Sequence, residues 1–177
     1  MKILKTKFKD LLIYKKDTYK DNRGYFRELY LEKHFNTKFP FDVMSFSKKN
    51  VLRGLHLQIS KPQAKLLTVL SGDVFDVCVD CRIKSKTFGK YFSIILSEKE
   101  NKSILIPEGF AHGFYTLTNN VLIHYKCSNY RDEKSETGIL WNDKDLKIKW
   151  PQKNPIISMK DLKNHSFNFF LKNLIKK

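Results

Sequence analysis

Three side chains that could do chemistry lie close together in residues 51–65, which read VLRGLHLQISKPQAK: Arg53, His56 and Lys65. The rest of this stretch is mostly apolar and typical of a strand. Arginine binds anions through a planar fork of donors, and histidine exchanges protons near neutral pH. A lysine in a water-excluded site stabilises a developing negative charge. Together the three would form an anion clamp, a base and an electrophile, provided that the rest of the chain supplies a cavity.

Two further polar side chains occur in strand-like segments. In VLIHYKC, residues 121–127, the alternation places Tyr125 on the apolar face, so its phenol points inward. His112 lies in IPEGFAHGF, where proline and glycine permit a sharp passage between strands. Each residue alone is more often part of a core than of a catalytic site. Their occurrence with His56 and Lys65 in one run of strands favours a shared interior.

The spacing of histidines and cysteines does not indicate a metal site. Strand-borne metal sites use two histidines one residue apart, a carboxylate and a further histidine, whereas the segment around His56 reads LHLQ. Cys78 and Cys81 form a C-x-x-C, but a three-residue offset on a strand sends their side chains to opposite faces. The sequence contains no P-loop, G-x-G-x-x-G or G-x-S-x-G motif. We therefore expect no metal, and a phosphate or nucleotide would be part of a substrate, held by Arg side chains.

Short strands must position these residues, because strand signals recur at regular intervals with almost no helix between them. Residues 71–73 and 118–120 read as hairpin turns, and residues 3–15 as an edge strand before a turn at 21–24. This pattern predicts an all-β sandwich or barrel. The predicted strands are 25–30, 43–46, 51–58, 66–70, 74–80, 91–96, 103–106, 113–117 and 121–127.

Helical signals are confined to short peripheral segments. A helical turn is expected at 32–35, and a C-terminal helix at about 166–176 behind a Ser166 cap. The apolar positions of this last helix follow helical spacing and predict one buried stripe: Phe167, Phe170, Leu171, Leu174 and Ile175.

The bulk composition favours one soluble domain spanning residues 1–177, with 41% hydrophobic residues. The net charge of +16 comes mainly from dispersed lysines, without the Arg-rich, aromatic-interleaved stripe of a nucleic-acid-binding protein. We therefore expect no nucleic-acid partner, although a basic surface would attract a phosphorylated small molecule. No apolar run approaches a membrane span or a signal-peptide core, and three cysteines agree with a reducing compartment, so we expect a cytoplasmic location.

Several long motifs resemble those of the dTDP-4-dehydrorhamnose 3,5-epimerases, a cupin family of nucleotide-sugar enzymes. The resemblance covers residues 21–161 in order. It is carried by VLRGLHLQ, AKLLTVLSGDVFDVCVDCR, SKTFGKY, ILIPEGFAHGF, YKCSNY, LWNDKDLKIKWP and ISMKD. It implies a cupin-type jelly roll, a homodimer, and an isomerase that needs no metal or cofactor.

The resemblance also implies catalytic roles. His56 would be the general base, held and polarised by Asp161, and Tyr125 would be the acid on the opposite face of the sugar. Lys65 and His112 would lie near the carbonyl oxygen.

The implied binding roles involve the nucleotide and its diphosphate. Arg53 would hold the diphosphate and Tyr130 would stack on the base. Arg23, Phe26 and Glu28 match a segment that, in this family, reaches the nucleotide from the other subunit of a dimer.

The chemistry of a 4-keto sugar suits these residue types. Carbons 3 and 5 flank the carbonyl, so removal of a proton from either leaves an enolate, and inversion needs a base on one face and an acid on the other. At Phe41 and Val43 the chain departs from the family, which usually has glutamine and asparagine there in contact with substrate. An epimerase for another 4-keto-6-deoxy nucleotide sugar, inversion of one centre only, and a non-catalytic nucleotide-sugar-binding cupin therefore remain as alternatives.

Overall fold

Two antiparallel sheets packed face to face dominate the computed structural model, which describes residues 1–175. The six-stranded sheet has the order β1-β2-β10-β7-β12-β5, and the five-stranded sheet has the order β13-β6-β11-β8-β9. Strands β3 and β4 form a separate hairpin. This architecture confirms the predicted all-β, cupin-type jelly roll. The strands are β1 (Lys2–Lys5), β2 (Leu12–Lys15), β3 (Tyr19–Asp21), β4 (Gly24–Phe26), β5 (Phe41–Ser47), β6 (Leu52–Gln58), β7 (Lys65–Ser71), β8 (Asp73–Asp80), β9 (Tyr91–Ser97), β10 (Lys102–Ile106), β11 (Phe110–Thr116), β12 (Val121–Cys127) and β13 (Glu136–Gly138).

The main core lies between the two sheets and is built by the inward positions of alternating strands. In β12 every second residue is buried, which confirms that Tyr125 points inward while His124 and Lys126 point away. Apolar side chains from both sheets meet in this core, among them Leu67 of β7 and Val74 of β8. Burial of such side chains stabilises each by roughly 1.5–3 kcal/mol relative to exposure.

A second apolar cluster lies on the other face of the five-stranded sheet, under the C-terminal segment. Phe167 and Phe170 are buried in it together with Cys81, whereas Cys78 belongs to the core between the sheets. The two cysteines therefore lie on opposite faces, as their offset predicts. Cys78, Cys81 and Cys127 are all buried free thiols.

The helices are short and peripheral. Single 3-10 turns occupy Glu32–His34, close to the predicted 32–35, and Glu98–Glu100. Helix α1 (Met159–Leu162) begins behind Ser158, and α2 (Phe167–Phe170) begins behind Ser166 and continues as a π-helical turn over Leu171–Ile175. The predicted start of the last helix is confirmed. Its predicted end at residue 176 lies outside the described residues, as do the side chains of Leu174 and Ile175. None of the helices in residues 1–175 has the length and apolar character needed to cross a membrane.

Strands β6 and β11 approach each other unusually closely at Gly54 and Gly113. A Cβ on Gly54 would lie 2.5 Å from the Gly113 Cα, and Gly54 has φ of +129°, so other residues would clash and be strained there. The register shifts locally between His112 and Phe114, next to the pair in which His112 lies opposite His56. The glycines therefore bring two histidines side by side on one sheet.

Candidate active site

A cavity of about 690 Å³ opens between the two sheets and has the size of a small-molecule site. Its walls come from β5, β7 and β12 of one sheet and from β6 and β11 of the other. Six of the ten predicted site residues line it: Arg53, His56, Lys65, His112, Tyr125 and Asp161. The structure therefore brings together side chains that are up to 108 positions apart in the chain, Arg53 to Asp161.

His56 projects from β6 into the cavity, with 29% of its side chain exposed. Its Nε2 donates a hydrogen bond of 2.7 Å to Oδ1 of Asp161. With the proton held on Nε2, the lone pair on Nδ1 is free to accept a proton from a bound molecule.

Asp161 reaches His56 from helix α1, whose N-cap Ser158 accepts a hydrogen bond from the Asp161 backbone N–H at 3.0 Å. The other carboxylate oxygen, Oδ2, accepts a hydrogen bond of 3.2 Å from the Gly54 N–H. Burial acts to raise the pKa of Asp161, but the hydrogen bonds from His56 and Gly54 outweigh it and hold the pKa below its usual value. The carboxylate is therefore ionised and orients the imidazole.

Tyr125 faces the cavity from β12, on the sheet opposite His56. Its hydroxyl lies 3.1 Å from Oγ of Ser45 on the neighbouring strand. Burial raises the pKa of the phenol well above its usual value. Tyr125 therefore stays protonated at neutral pH and has a proton to give.

Lys65 opens β7 beside Cys127 of β12, and both line the cavity. Burial lowers the pKa of Lys65, because an ammonium in this position has lost much of its hydration. When charged, such a group interacts strongly with a negative charge formed next to it.

His112 is held by a carboxylate of its own. Its Nε2 donates to Oδ2 of Asp76 at 2.7 Å, and both side chains are buried, 5% and 0% exposed. Asp76 lies on the adjacent strand β8, two positions from Cys78, the residue opposite His112 in the pairing register.

Arg53 sits at the rim of the cavity and is exposed. Its guanidinium donates to Oγ of Ser47 at 3.0 Å and to the carbonyl of Phe46 at 3.1 Å. Because neutral acceptors hold it in place, its charge is available to an anionic ligand.

The wall contributed by β5 is apolar. Phe41 and Val43 both line the cavity, and Val43 lies directly opposite Tyr125 in the strand pairing. These are the two positions at which the sequence departs from the family. The departure therefore concerns the cavity surface itself.

Three predicted residues lie away from the cavity, on or just after the β3–β4 hairpin. Arg23 is 85% exposed and pairs with Asp21 at 2.6 Å, and Phe26 is 65% exposed. Glu28 instead lines a second cavity of about 210 Å³ together with Lys16. Within one chain, these three residues therefore lie apart from the six that line the large cavity.

Tyr130 lies at the mouth of the cavity and is 64% exposed. Its ring centroid is 5.7 Å from that of Phe41, which lines the cavity. An exposed ring beside an aromatic wall is suited to stacking on a flat ligand group.

The sequence analysis missed a charged cluster at the same mouth. Glu136 of β13 accepts hydrogen bonds from Lys160 at 2.7 Å and from Arg131 at 2.8 Å, and all three line the cavity. Burial alone would raise the pKa of Glu136, but these two cations lower it to about 2. Of these three residues, only Lys160 lies in a motif that the sequence analysis singled out, ISMKD, next to Asp161. No pattern marks the other two.

The arrangement places a carboxylate-oriented histidine on one wall and a protonated phenol on the facing wall. Such a cavity can remove a proton from one side of a bound molecule and deliver a proton to the other. Within residues 1–175, no three His, Cys, Asp or Glu side chains converge as a metal site would require.

Comparison with known proteins agrees with this geometry. The family model described as dTDP-4-dehydrorhamnose 3,5-epimerase matches residues 5–168. The dTDP-4-dehydrorhamnose 3,5-epimerase of Shigella flexneri is 41% identical over 174 residues, covering 94% of this chain and 96% of the relative.

Solved structures share the fold over nearly the whole chain. The dTDP-6-deoxy-D-glucose-3,5-epimerase of Legionella pneumophila, in complex with dTDP-4-keto-L-rhamnose, has a TM-score of 0.91 at 40% identity and covers 94% of this chain and 93% of its own. A less similar structure, a 3'-monoepimerase from Streptomyces bikiniensis in complex with dTDP-quinovose, has a TM-score of 0.88 at 25% identity, with 94% and 88% covered.

The match of the family model over most of the chain, and 41% identity across nearly all of it, agree with the motifs in the sequence and with the jelly roll. The chain therefore belongs to the dTDP-4-dehydrorhamnose 3,5-epimerase family of isomerases.

Proposed function

We propose that the protein inverts C3 and C5 of dTDP-4-keto-6-deoxy-D-glucose to give dTDP-4-keto-L-rhamnose. The single observation that carries this proposal is the position of His56 and Tyr125 on opposite walls of one cavity. Inversion of a carbon next to a carbonyl needs this arrangement, because the proton leaves one face of the sugar ring and returns on the other.

His56 acts as the base and Tyr125 as the acid. Nδ1 of His56 takes the proton from C3 or C5, and the electron pair of the broken C–H bond moves into the C4 carbonyl to form an enolate. Tyr125 then donates its hydroxyl proton to the same carbon from the opposite face. Asp161 stabilises the imidazolium that forms, through the 2.7 Å hydrogen bond.

Lys65 stabilises the enolate oxygen through its ammonium. His112 does so through Nδ1–H in its imidazolium form, because its Nε2–H is donated to Asp76. Both line the cavity near Tyr125, with the His112 and Tyr125 ring centroids 6.4 Å apart. Preorganised donors in a water-excluded site are the strongest means of stabilising such a charge. Because side chains supply each proton transfer and the charge stabilisation, we propose that the reaction uses no metal and no cofactor.

The nucleotide occupies the mouth of the cavity. Arg53 binds the diphosphate, and Tyr130 stacks on the base. The reduced cysteines and the nucleotide-sugar substrate support a cytoplasmic location.

A homodimer completes the nucleotide site. The hairpin that carries Arg23 and Phe26 is exposed, and the edge strand β5 exposes Met44 and Phe46 beside the cavity wall. A second copy of the chain would cover these apolar surfaces and bring its hairpin, with Glu28, to the cavity.

A second candidate is an epimerase for another 4-keto-6-deoxy nucleotide sugar, or one that inverts a single centre. The apolar wall of Phe41 and Val43 favours it, because neither side chain can form the hydrogen bonds that glutamine and asparagine would offer a sugar hydroxyl.

Incubation with the dTDP-4-keto sugar in D₂O, followed by NMR, tests these functions. Deuterium at both C3 and C5 with inversion is the result expected. Deuterium at one carbon would support the second candidate. Absence of exchange together with tight binding would indicate a non-catalytic nucleotide-sugar-binding protein.

Tyr125→Phe separates the two proton transfers. We expect it to lower net inversion by about 10²–10³-fold while exchange catalysed by His56 persists, because abstraction does not need the phenol. Ser45→Ala, which removes the partner of Tyr125 but keeps the phenol, is the matched control and should cost less than tenfold. Loss of exchange together with inversion in Tyr125→Phe would contradict its assignment as the acid.

A further inference from the structure

We propose that Lys16 is a positioning residue for the active sites of the dimer. It fixes the base of the β3–β4 hairpin so that Arg23, Phe26 and Glu28 are held at the cavity of a second copy of the chain. This inference rests on the proposed function and adds a residue that lies in no catalytic cavity of its own chain.

The hairpin has little of its own to hold it in one orientation. Strands β3 and β4 pair only with each other and join neither large sheet. Their aromatic side chains Tyr19, Tyr25 and Phe26 are all more than half exposed. The orientation of the hairpin therefore depends on the segments at its base.

Lys16 ties one of these segments to the body of the protein. Its Nζ donates to the Leu29 carbonyl at 2.7 Å and to Oγ of Ser103 on β10 at 2.7 Å. Ser103 is itself buried and hydrogen-bonded to Thr68 on β7. The chain that leaves the hairpin at Leu29 is thereby fixed to two strands of the six-stranded sheet.

The ammonium of Lys16 lies where it does not stabilise the fold, which points to a role other than stability. Among residues 1–175, its ammonium forms no ion pair with a carboxylate, and its hydrogen bonds go to neutral oxygens. Burial, and secondarily the nearby Arg27, lower its pKa to about 8. A half-buried charge without a counter-ion reduces stability, so an apolar side chain would serve the fold alone at least as well.

Arg27 provides a second tie at the same base. Its Nε donates to Oγ1 of Thr18 at 2.9 Å, its Nη1 donates to the Glu98 carbonyl, and its guanidinium lies 4.2 Å from the Tyr25 ring centroid. Lys16 and Arg27 thus hold both ends of the segment between the hairpin and Leu29. This is the segment that carries Glu28.

Lys16→Met tests the proposal, because methionine fills the space without donating hydrogen bonds. We expect KM for the dTDP-4-keto sugar to rise about tenfold, as for the loss of one charge-assisted hydrogen bond, with kcat within twofold and Tm unchanged or higher. Lys15→Met, at the adjacent exposed position of β2, is the matched control and should leave both constants unchanged. A fall in kcat or Tm at unchanged KM would overturn the proposal, since that is what a purely structural residue would give.

Mixed dimers of differently tagged chains show which copy Lys16 serves. In a dimer of a Lys16→Met chain and a His56→Ala chain, only the Lys16→Met chain has a working cavity. That cavity receives the intact hairpin of the His56→Ala chain, so the KM should be that of the wild type. When the wild type is paired with the double variant, the working cavity receives the loosened hairpin, so KM should rise about tenfold. The reverse pattern would place the effect of Lys16 within its own chain and overturn the proposal.

Calorimetry with dTDP separates this inference from the proposed catalysis. Lys16→Met should raise the Kd for dTDP about tenfold, and Lys15→Met should not, whether or not the wild type turns over a 4-keto sugar. Equal dTDP affinity in all three proteins would refute positioning. If Lys16→Met weakens dTDP binding as expected but the wild type does not isomerise the 4-keto sugar, the proposed function is refuted instead.

Discussion

Two histidines that line the cavity are each paired with an aspartate at an Nε2 to Oδ distance of 2.7 Å, but the two pairs have different surroundings. In the pair of His56 and Asp161, the imidazole is 29% exposed and its partner comes from a short helix 105 residues later. In the pair of His112 and Asp76, both side chains are at most 5% exposed and both come from adjacent strands of one sheet.

The difference shows how one pair of residue types can serve two purposes. A histidine that faces the cavity can exchange its proton with a ligand, whereas one enclosed by a sheet is held in a fixed orientation. We infer that the first pair moves protons and that the second pair holds His112 in place beside the enolate oxygen. Variants of the two pairs should therefore fail in different ways.

Replacing each histidine by asparagine should give the largest contrast. We expect His56→Asn to lower kcat about 10³–10⁴-fold, because the base is lost, with little change in Tm. For His112→Asn we expect a loss of about 10–10²-fold in kcat together with a lower Tm, since a buried hydrogen bond is weakened. Steady-state kinetics and thermal melts measure both, and equal losses of kcat at equal Tm would remove the distinction between the pairs.

Replacing each aspartate by alanine should rank the two pairs in opposite order for stability and for activity. Asp76→Ala breaks a fully buried pair and should cost about 3–5 kcal/mol in the free energy of unfolding, with kcat within about tenfold of the wild type. Asp161→Ala should cost about 1–3 kcal/mol but lower kcat about 10²–10³-fold, because the imidazole loses its orientation. Urea denaturation and initial rates provide the measurements. A stability cost that is larger for Asp161 would contradict the assignment.

Acid should loosen the pair of His56 and Asp161. The reason is that a hydrogen bond between Glu136 and Lys160 ties helix α1, which carries Asp161, to β13. The pKa of Glu136 is lowered from 4.5 to about 2 on folding, so its contribution is complete above pH 4.5 and is lost as the pH falls towards 2. We expect Glu136→Gln to lower stability by about 2 kcal/mol at pH 6 and by much less at pH 3.

Thermal melts at the two pH values measure this difference. Glu108→Gln, at an exposed carboxylate, is the control and should change Tm little at either pH. A Glu136→Gln deficit that is the same at pH 6 and pH 3 would show that the carboxylate charge is not the source of the stabilisation.

Strand alternation made most of the fold predictable. The period of two in residues 121–127 places Tyr125 correctly in the interior, and the opposite faces of Cys78 and Cys81 follow from the same rule. The predicted hairpin turns at 71–73 and 118–120 are wrong, because the strands on either side of each turn lie in different sheets. The short strand β13 and helix α1 were not predicted. Their three and four residues are too few to show a period, and tertiary contacts hold them in place.

The cavity residues were predictable in type, but their partners depended mainly on the resemblance. His56 and Lys65 stand out because polar residues are rare in apolar strands, whereas no spacing rule connects His56 to Asp161. The pairing of His112 with Asp76 could not be predicted, because it depends on the register between β8 and β11. Apart from Lys160, which adjoins Asp161, the charged cluster around Glu136 gave no signal, because its members lie in loops and short elements.

The distance between His56 and Asp161 along the chain also sets the order in which the site can form. During synthesis both sheets can assemble before residues 158–162 leave the ribosome, since every strand precedes residue 139. At that stage His56 would be in place without the carboxylate that orients it. Full activity would appear only after α1 has docked, so its onset in a nascent chain would report that folding is complete.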